Sequence, residues 1–123
     1  MSDFVTRLER YYATIDSGDL DGGVALLAPD VRFAILLPGT PVRGESRDGV
    51  KAYLEGRPAG VRRVHVPQHR STDGDLEFVY GAVVENDERT TGHFLASARI
   101  GADGLIRGYQ VAFDPDLGLT ALD

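Results

Sequence analysis

The 123-residue chain is 42% hydrophobic and 26% charged, proportions that predict one folded domain over residues 1–123. Its formal net charge of −6, with basic residues scattered along the chain, argues against binding to the phosphate backbone of nucleic acids. The absence of cysteine rules out disulfides and thiolate chemistry, and no apolar run is long enough for a membrane span. We therefore expect a cytoplasmic protein without a nucleic-acid or membrane partner.

A helix is predicted near the start of the chain, because apolar residues recur there at helical spacing. The apolar stripe consists of Phe4, Leu8, Tyr11 and Ile15, widened by Val5 and Tyr12. Ser2 or Asp3 can cap the beginning of this helix, and Gly18 can end it in a left-handed conformation.

Two more helices are predicted from capping residues followed by apolar positions. Asp19 is a suitable cap for the second helix, which we expect to end at Pro29. Ser46 is a suitable cap for the third helix, which Gly56 and Pro58 should end. The predicted inward faces are Leu20, Val24 and Leu27 in the second helix and Val50, Tyr53 and Leu54 in the third.

The remaining pattern is typical of strands, at residues 31–37, 61–70, 76–85, 91–100 and 105–113. The order α-α-β-α-β-β-β-β predicts an α+β fold in which the helices pack on one face of a mixed or antiparallel sheet. Several strands look apolar on both faces, including FAILL, FVYGAVV and FLASARI. Because the second face should then also be covered, we expect a homodimer.

The stretch RYYATIDSGDLDGGVALLAPDVRF, followed by RGES, VKAYL and four strands, resembles the SnoaL-like branch of the nuclear transport factor 2-like superfamily. The resemblance covers essentially the whole chain. It implies a curved sheet wrapped by helices into a cone, with a pocket at one end. Members include ketosteroid isomerases, polyketide cyclases, dehydratases and non-catalytic binding subunits, so the fold alone does not define an activity.

The N-terminal half is most similar to the bacterial ketosteroid isomerases, without a gap from Arg10 to Gly44. Those enzymes use an aspartate as base, with a tyrosine and a protonated aspartic acid as donors to the substrate oxygen. The resemblance places the tyrosine at Tyr11, but it places the base at Ile35 and the second donor at Ala96. The usual ketosteroid isomerase mechanism is therefore not expected.

The C-terminal half, GHFLASARIGADGLIRGYQVAFDP, looks more like the phenazine-biosynthesis A/B proteins. The catalytic glutamate of that family falls at about Val111, and the third predicted helix contains no histidine. That mechanism is not supported either, and no aspartate–histidine pair of the polyketide cyclase kind can be matched.

Strand alternation predicts the lining of the pocket if Ile35 faces inward. The predicted inward residues are Phe33, Ile35, Leu37, Phe94, Ala96, Ala98, Tyr109, Val111 and Phe113, with Tyr11, Tyr53 and Tyr12 from the helices. We expect an apolar wall with phenols as its polar points. Such a site suits an aromatic or alicyclic ligand in a cavity of roughly 300–600 Å³.

Two residues are candidates for catalysis at this stage. The resemblance assigns hydrogen-bond donation to Tyr11, although a tyrosine on a helical apolar stripe can also be plain core. Asp114 follows the last strand and is a candidate acid–base group at the pocket rim. Glu77 and Glu85 alternate with apolar neighbours and are expected to face solvent.

The three histidines do not predict a metal site. His65 and His69 are four residues apart in a strand and should lie about 13 Å apart along one face, too far to hold one ion. We expect neither a metal nor a cofactor. His65 or His93 can serve as a general base near neutral pH, although alternation places His93 on the outer face.

Two functions stay open from the sequence. The first is a cofactor-independent isomerase, cyclase or dehydratase of secondary metabolism, acting on a small hydrophobic, polyketide-like or alicyclic metabolite. In that function Tyr11 donates a hydrogen bond to a carbonyl oxygen, and the apolar wall orients the substrate. The second is a non-catalytic small-molecule-binding or partner subunit of the same fold.

Overall fold

A computed structural model describes residues 5–58 and 60–121. The helices are α1 (Arg7–Asp16), α2 (Leu20–Val24) and α3 (Arg47–Glu55), with a short 3-10 helix at Leu119–Ala121. The strands are β1 (Leu27–Leu36), β2 (Val42–Gly44), β3 (Arg63–Asp73), β4 (Leu76–Glu85), β5 (Arg89–Ile100) and β6 (Ile106–Asp114). The predicted α+β class is confirmed.

The six strands form one curved, mixed sheet in the order β2-β1-β6-β5-β4-β3. Strands β1 and β6 are parallel, and every other neighbouring pair is antiparallel. The helices cover the concave face, where apolar side chains of α1 and α3 meet those of β1, β5 and β6 in a single core. Phe94, Ala96 and Ala98 on β5 face this core, as alternation predicts.

Helix α1 begins later than predicted. Its N-cap is Thr6, which forms a capping box with Glu9: the Glu9 amide donates to the Thr6 hydroxyl at 3.0 Å, and the Thr6 amide donates to the Glu9 carboxylate at 3.1 Å. The predicted caps Ser2 and Asp3 lie outside the described residues. The predicted stop is confirmed, since Gly18 has φ of +95°.

Carboxylates on two elements hold the N-terminal end of α1 against the sheet. Glu77 of β4 is 8% exposed and accepts a hydrogen bond from the Leu8 amide at 3.2 Å, so the prediction that it faces solvent is wrong. Arg70 of β3 donates to both oxygens of Glu9, at 2.7 and 2.8 Å. Burial alone would raise the pKa of Glu9, but hydrogen bonds from Arg70 and Thr6 outweigh it and the pKa is lowered.

Helix α2 is shorter than predicted. Asp19 caps it as expected, accepting from the Gly22 amide at 2.9 Å, but the helix ends at Val24 rather than at Pro29. Leu27 belongs to β1, where it is fully buried beside Ile106 of the parallel strand, so its prediction as a helix residue is wrong. Strand pairing begins here, since the Ile106 amide donates to the Leu26 carbonyl at 3.0 Å and Leu27 pairs with Ile106.

Strand β2 was not predicted, since three residues are too short to show an alternating pattern. It pairs with β1 through Phe33 opposite Gly44. A side chain at Gly44 would put its Cβ 2.6 Å from the Phe33 ring, so only glycine allows this close approach.

The convex face of the sheet carries apolar groups that are exposed in the described part of the chain. Leu95 of β5 is 52% exposed and Val66 of β3 is 39% exposed. The homodimer stays a prediction, as does the cytoplasmic location. Among the described residues, no helix has both the length and the hydropathy that crossing a bilayer requires.

We predict that Glu9→Gln lowers the free energy of unfolding by about 1–3 kcal/mol at neutral pH, because the charge-assisted bonds to Arg70 are lost inside a buried site. A lowered folded-state pKa stabilises the protein above the ordinary pKa of 4.5, and this stability is lost as pH falls through the folded value. The difference between variant and wild type should therefore shrink below pH 4.5. Urea denaturation followed by circular dichroism at several pH values measures it.

The matched control is Arg99→Gln, which breaks an ion pair with Asp75 whose side chains are 59% and 55% exposed. Little change is expected there, because solvent screens such pairs. A loss of equal size in both variants would contradict the role given to Glu9.

Candidate functional site

A cavity of about 830 Å³ lies between α1, α3 and the concave face of the sheet, larger than the sequence-based expectation. The residues predicted to bind substrate that line it are Ile35, Tyr53, Phe94, Tyr109, Val111 and Phe113. Tyr11 and Tyr12 of α1 line it as well. Strand alternation therefore located most of the wall correctly.

Three predicted lining residues, Phe33, Ala96 and Ala98, belong to the core instead. Phe33 is 6% exposed and its ring packs against Gly44 and Gly49, beneath the start of α3. Ala96, where the resemblance placed the second oxyanion donor of ketosteroid isomerases, is fully buried in the sheet and does not line the cavity.

The wall is more polar than predicted. Arg57, Arg63, His65, Glu85 and Thr91 line the cavity together with the phenols. The Arg63 guanidinium lies 3.4 Å from the Glu85 carboxylate, so the prediction that Glu85 faces solvent is wrong.

The most chemically specific feature of this wall is a histidine held by an aspartate. His65 of β3 and Asp16, the last residue of α1, have side chains only 13% and 7% exposed. The imidazole Nδ1 lies 3.0 and 3.1 Å from the two carboxylate oxygens, and the His65 backbone N–H donates to the same carboxylate at 2.6 Å. Among residues 5–58 and 60–121, none hydrogen-bonds the second ring nitrogen, Nε2.

Packing holds the imidazole in place from both sides. The His65 ring stacks on Tyr12 at 4.3 Å between centroids and 19° between planes. The Phe94 ring meets it edge-on at 5.2 Å. The orientation of the imidazole is therefore set by two aromatic contacts and a carboxylate rather than by solvent.

Tyr12 and Tyr109 form a second buried pair beside the histidine. Their hydroxyls lie 2.5 Å apart, and burial raises the pKa of both phenols well above their ordinary value. Each hydroxyl thereby satisfies the other, as buried phenols require. Tyr12 is thus a structural residue that fixes β6 and His65 relative to α1.

Tyr11 differs from its neighbour in having no such partner. It is 1% exposed and lines the cavity, and within the described part of the chain its hydroxyl makes no hydrogen bond. Burial raises the pKa of Tyr11, an effect that the nearby charge of Arg57 opposes only in part. Tyr11 therefore stays protonated near neutral pH and can donate a hydrogen bond into the cavity.

The structure places Asp114 outside the cavity lining. It is exposed at the end of β6, and its carboxylate accepts hydrogen bonds from the amides of Asp116 and Leu117 at 2.8 and 2.9 Å. It caps the turn that follows the strand, and this explains why an aspartate precedes Pro115.

The other two histidines lie on the convex face. His93 stacks on Tyr80 at 5.9 Å, on the outer face where alternation predicted it. A register irregularity between Pro67 and His69 turns His69 to the side opposite His65, so the expectation that they share one face is wrong. No group of three or more potential metal ligands occurs within residues 5–58 and 60–121.

Sequence reasoning missed Asp16 and Arg57. One signal was available for Asp16: a carboxylate in the last turn of a helix opposes the helix dipole, and no basic residue accompanies it there. Such an unfavourable position indicates that the side chain has another role. No comparable signal marks Arg57, because its place in the cavity depends on how α3 packs.

A protein-family profile and several solved structures match this chain. The profile of the SnoaL-like domain family matches residues 8–109, so the chain belongs to that family. No curated protein sequence matches the chain.

Solved structures share the fold. An "NTF2-like protein of unknown function" from Burkholderia pseudomallei is 26% identical, with a TM-score of 0.68 over 89% of this chain and 88% of that one. A "putative ketosteroid isomerase" from Kribbella flavida is 21% identical, with a TM-score of 0.69 over 95% and 85%. A "putative polyketide cyclase" from Sinorhizobium meliloti is 19% identical, with a TM-score of 0.68 over 89% and 95%.

We predict that Tyr12→Phe and Tyr109→Phe each lower the free energy of unfolding by about 1–2 kcal/mol, because each leaves a buried hydroxyl unpaired. The double variant should cost little more than either single one, since it removes both partners. Urea denaturation of the wild type, the two single variants and the double variant measures the coupling free energy between the two hydroxyls. Additive losses would show that the two hydroxyls do not depend on each other.

Proposed function

We propose that this protein is a cofactor-independent isomerase, cyclase or dehydratase that acts on a small, largely hydrophobic metabolite by general acid–base catalysis. One observation supports it most strongly: an aspartate-held imidazole lines the same cavity as a protonated phenol that has no hydrogen-bond partner among the described residues. This pairing supplies a base and a hydrogen-bond donor, the two groups needed to form an enolate.

His65 is the proposed base. Because Asp16 accepts from the Nδ1 side of the ring, the proton lies on Nδ1 and the lone pair lies on Nε2. A substrate carbon next to a carbonyl group would lose its proton to Nε2. Asp16 is a positioning residue in this scheme, since it fixes the tautomer and stabilises the imidazolium that forms.

Tyr11 is the proposed donor to the carbonyl oxygen. That oxygen gains negative charge as the proton leaves carbon, and a hydrogen bond in a cavity with apolar walls stabilises it most at that stage. Return of the proton from Nε2 to another carbon completes an isomerisation. Transfer of the same proton to a departing β-hydroxyl, with loss of water, completes a dehydration.

This scheme accounts for Ile35. In the ketosteroid isomerases that the sequence resembles, the base stands on the first strand; here that position is apolar and the imidazole comes from β3. The names of the relatives from Kribbella flavida and Sinorhizobium meliloti, which refer to an isomerase and a cyclase, favour the same class of reaction.

The test is exchange of α-protons for deuterium in ketone probes, followed by NMR in D₂O with 2-tetralone and cyclic 3-hydroxyketones. We expect exchange above the buffer rate with wild-type protein. His65→Gln should lower it by about 10²-fold or more, and Tyr11→Phe by about 10²-fold, because each variant removes one group from the transition state.

The control is His93→Gln, which removes an imidazole from the convex face and should leave exchange unchanged. Exchange that persists undiminished in His65→Gln would exclude His65 as the base. Probes that bind the wild type without any exchange would favour the alternative function, a non-catalytic small-molecule-binding subunit.

A further inference from the structure

Among the described residues, only some charged side chains of the cavity wall have an oppositely charged partner. Arg63 is paired with Glu85 at 3.4 Å, and His65 is paired with Asp16. Arg57 also lines the cavity, but within the described residues it has no carboxylate at ion-pairing distance. In a chain with a net charge of −6, a cation in a cavity wall that no described carboxylate pairs with is an exception that needs an explanation.

The guanidinium of Arg57 carries a further unsatisfied group. Its Nε is buried and has no hydrogen-bond partner among residues 5–58 and 60–121. Leaving such a donor without an acceptor destabilises a protein, and native structures contain few cases. The guanidinium of Arg57 therefore has both a charge and a donor that the described residues leave uncompensated.

The backbone holds Arg57 at the end of α3, where its charge acts on the proposed donor Tyr11. Its amide donates to the Leu54 carbonyl at 3.3 Å, directly after Gly56 ends α3. The neighbours Gly56 and Pro58 are exposed, so this end of the cavity wall lies near the surface. The guanidinium charge lowers the pKa of the Tyr11 phenol and so opposes in part the larger increase that burial causes.

We propose that Arg57 binds a carboxylate of the substrate, so that the metabolite is a ring or chain with a hydrophobic body, a reacting carbonyl group and one carboxylate. A planar carboxylate matches the guanidinium fork, whose two Nη nitrogens can donate to its two oxygens in parallel. A phosphate dianion fits less well, because the only other guanidinium of the described wall, that of Arg63, is already paired with Glu85.

This inference rests on the proposed function and narrows its substrate class. The hydrogen bond of Tyr11 and the ion pair of Arg57 would fix two points of the substrate. Two fixed points orient the α-carbon toward His65 better than an apolar wall alone, because they remove rotational freedom before the reaction.

The experiment is calorimetric titration with two matched probes, 4-oxocyclohexane-1-carboxylate and its neutral carboxamide. We expect the wild type to bind the carboxylate about tenfold more tightly than the carboxamide at low ionic strength. Arg57→Gln should remove this preference, since glutamine keeps polarity but not charge. Arg57→Lys should keep a preference of roughly a few-fold, because the charge stays and the planar fork is lost.

The matched control is the double variant Arg63→Gln/Glu85→Gln, which removes an ion pair from the same wall without changing net charge. It should retain the preference for the carboxylate. Circular dichroism verifies that each variant is folded, and Arg57→Lys serves as the test if Arg57→Gln does not fold. No preference in the wild type, or an unchanged preference in the Arg57 variants, would overturn the proposal.

The two proposals can fail separately. His65→Gln should keep the binding preference, because the base takes no part in holding the carboxylate. A clear preference without α-proton exchange in any probe would end the acid–base proposal and leave the anion site standing. Exchange of α-protons without a preference for the carboxylate would end the anion-site proposal and leave the acid–base proposal standing.

Discussion

The attachment of α1 to β3 is the constraint on which the rest of the site depends. Glu9 near the beginning of the helix binds Arg70, and Asp16 at its end binds His65, so both ends are tied to one strand. Two charge-assisted contacts fix the angle at which a helix crosses a sheet better than apolar packing, which is not directional. That angle decides where Tyr11 and Tyr12 lie.

The adjacent tyrosines of α1 have different roles because they lie on different sides of that crossing. Tyr12 points to the centre of the core, where Tyr109 satisfies its hydroxyl and His65 stacks on its ring. Tyr11 lies beside it, 5.3 Å away between ring centroids, with its hydroxyl left for the cavity. Helical geometry separates neighbouring residues by about 100°. Tyr12 can therefore bond Tyr109 in the core while the hydroxyl of Tyr11 faces the cavity.

The same fold can carry its reacting side chain on different strands. The resemblance to ketosteroid isomerases placed their base at Ile35, whereas the proposed base His65 lies on β3, which faces the same cavity. Several inner-face positions on different strands point to the same volume, so a reacting group can be supplied from more than one of them. Membership in the SnoaL-like family therefore does not by itself define the reaction.

The sequence by itself determined the elements whose signals are local. Helical spacing, the Asp19 and Ser46 caps and the left-handed Gly18 marked the helices, and alternation marked most of the inner wall. Tertiary structure alone decided the start of β1 at Leu27, the bulge that turns His69 outward, and the partners of Asp16, Glu77 and Glu85. The physical reason is distance along the chain: Asp16 meets His65 only after the sheet has formed, and no local pattern records a contact between residues so far apart.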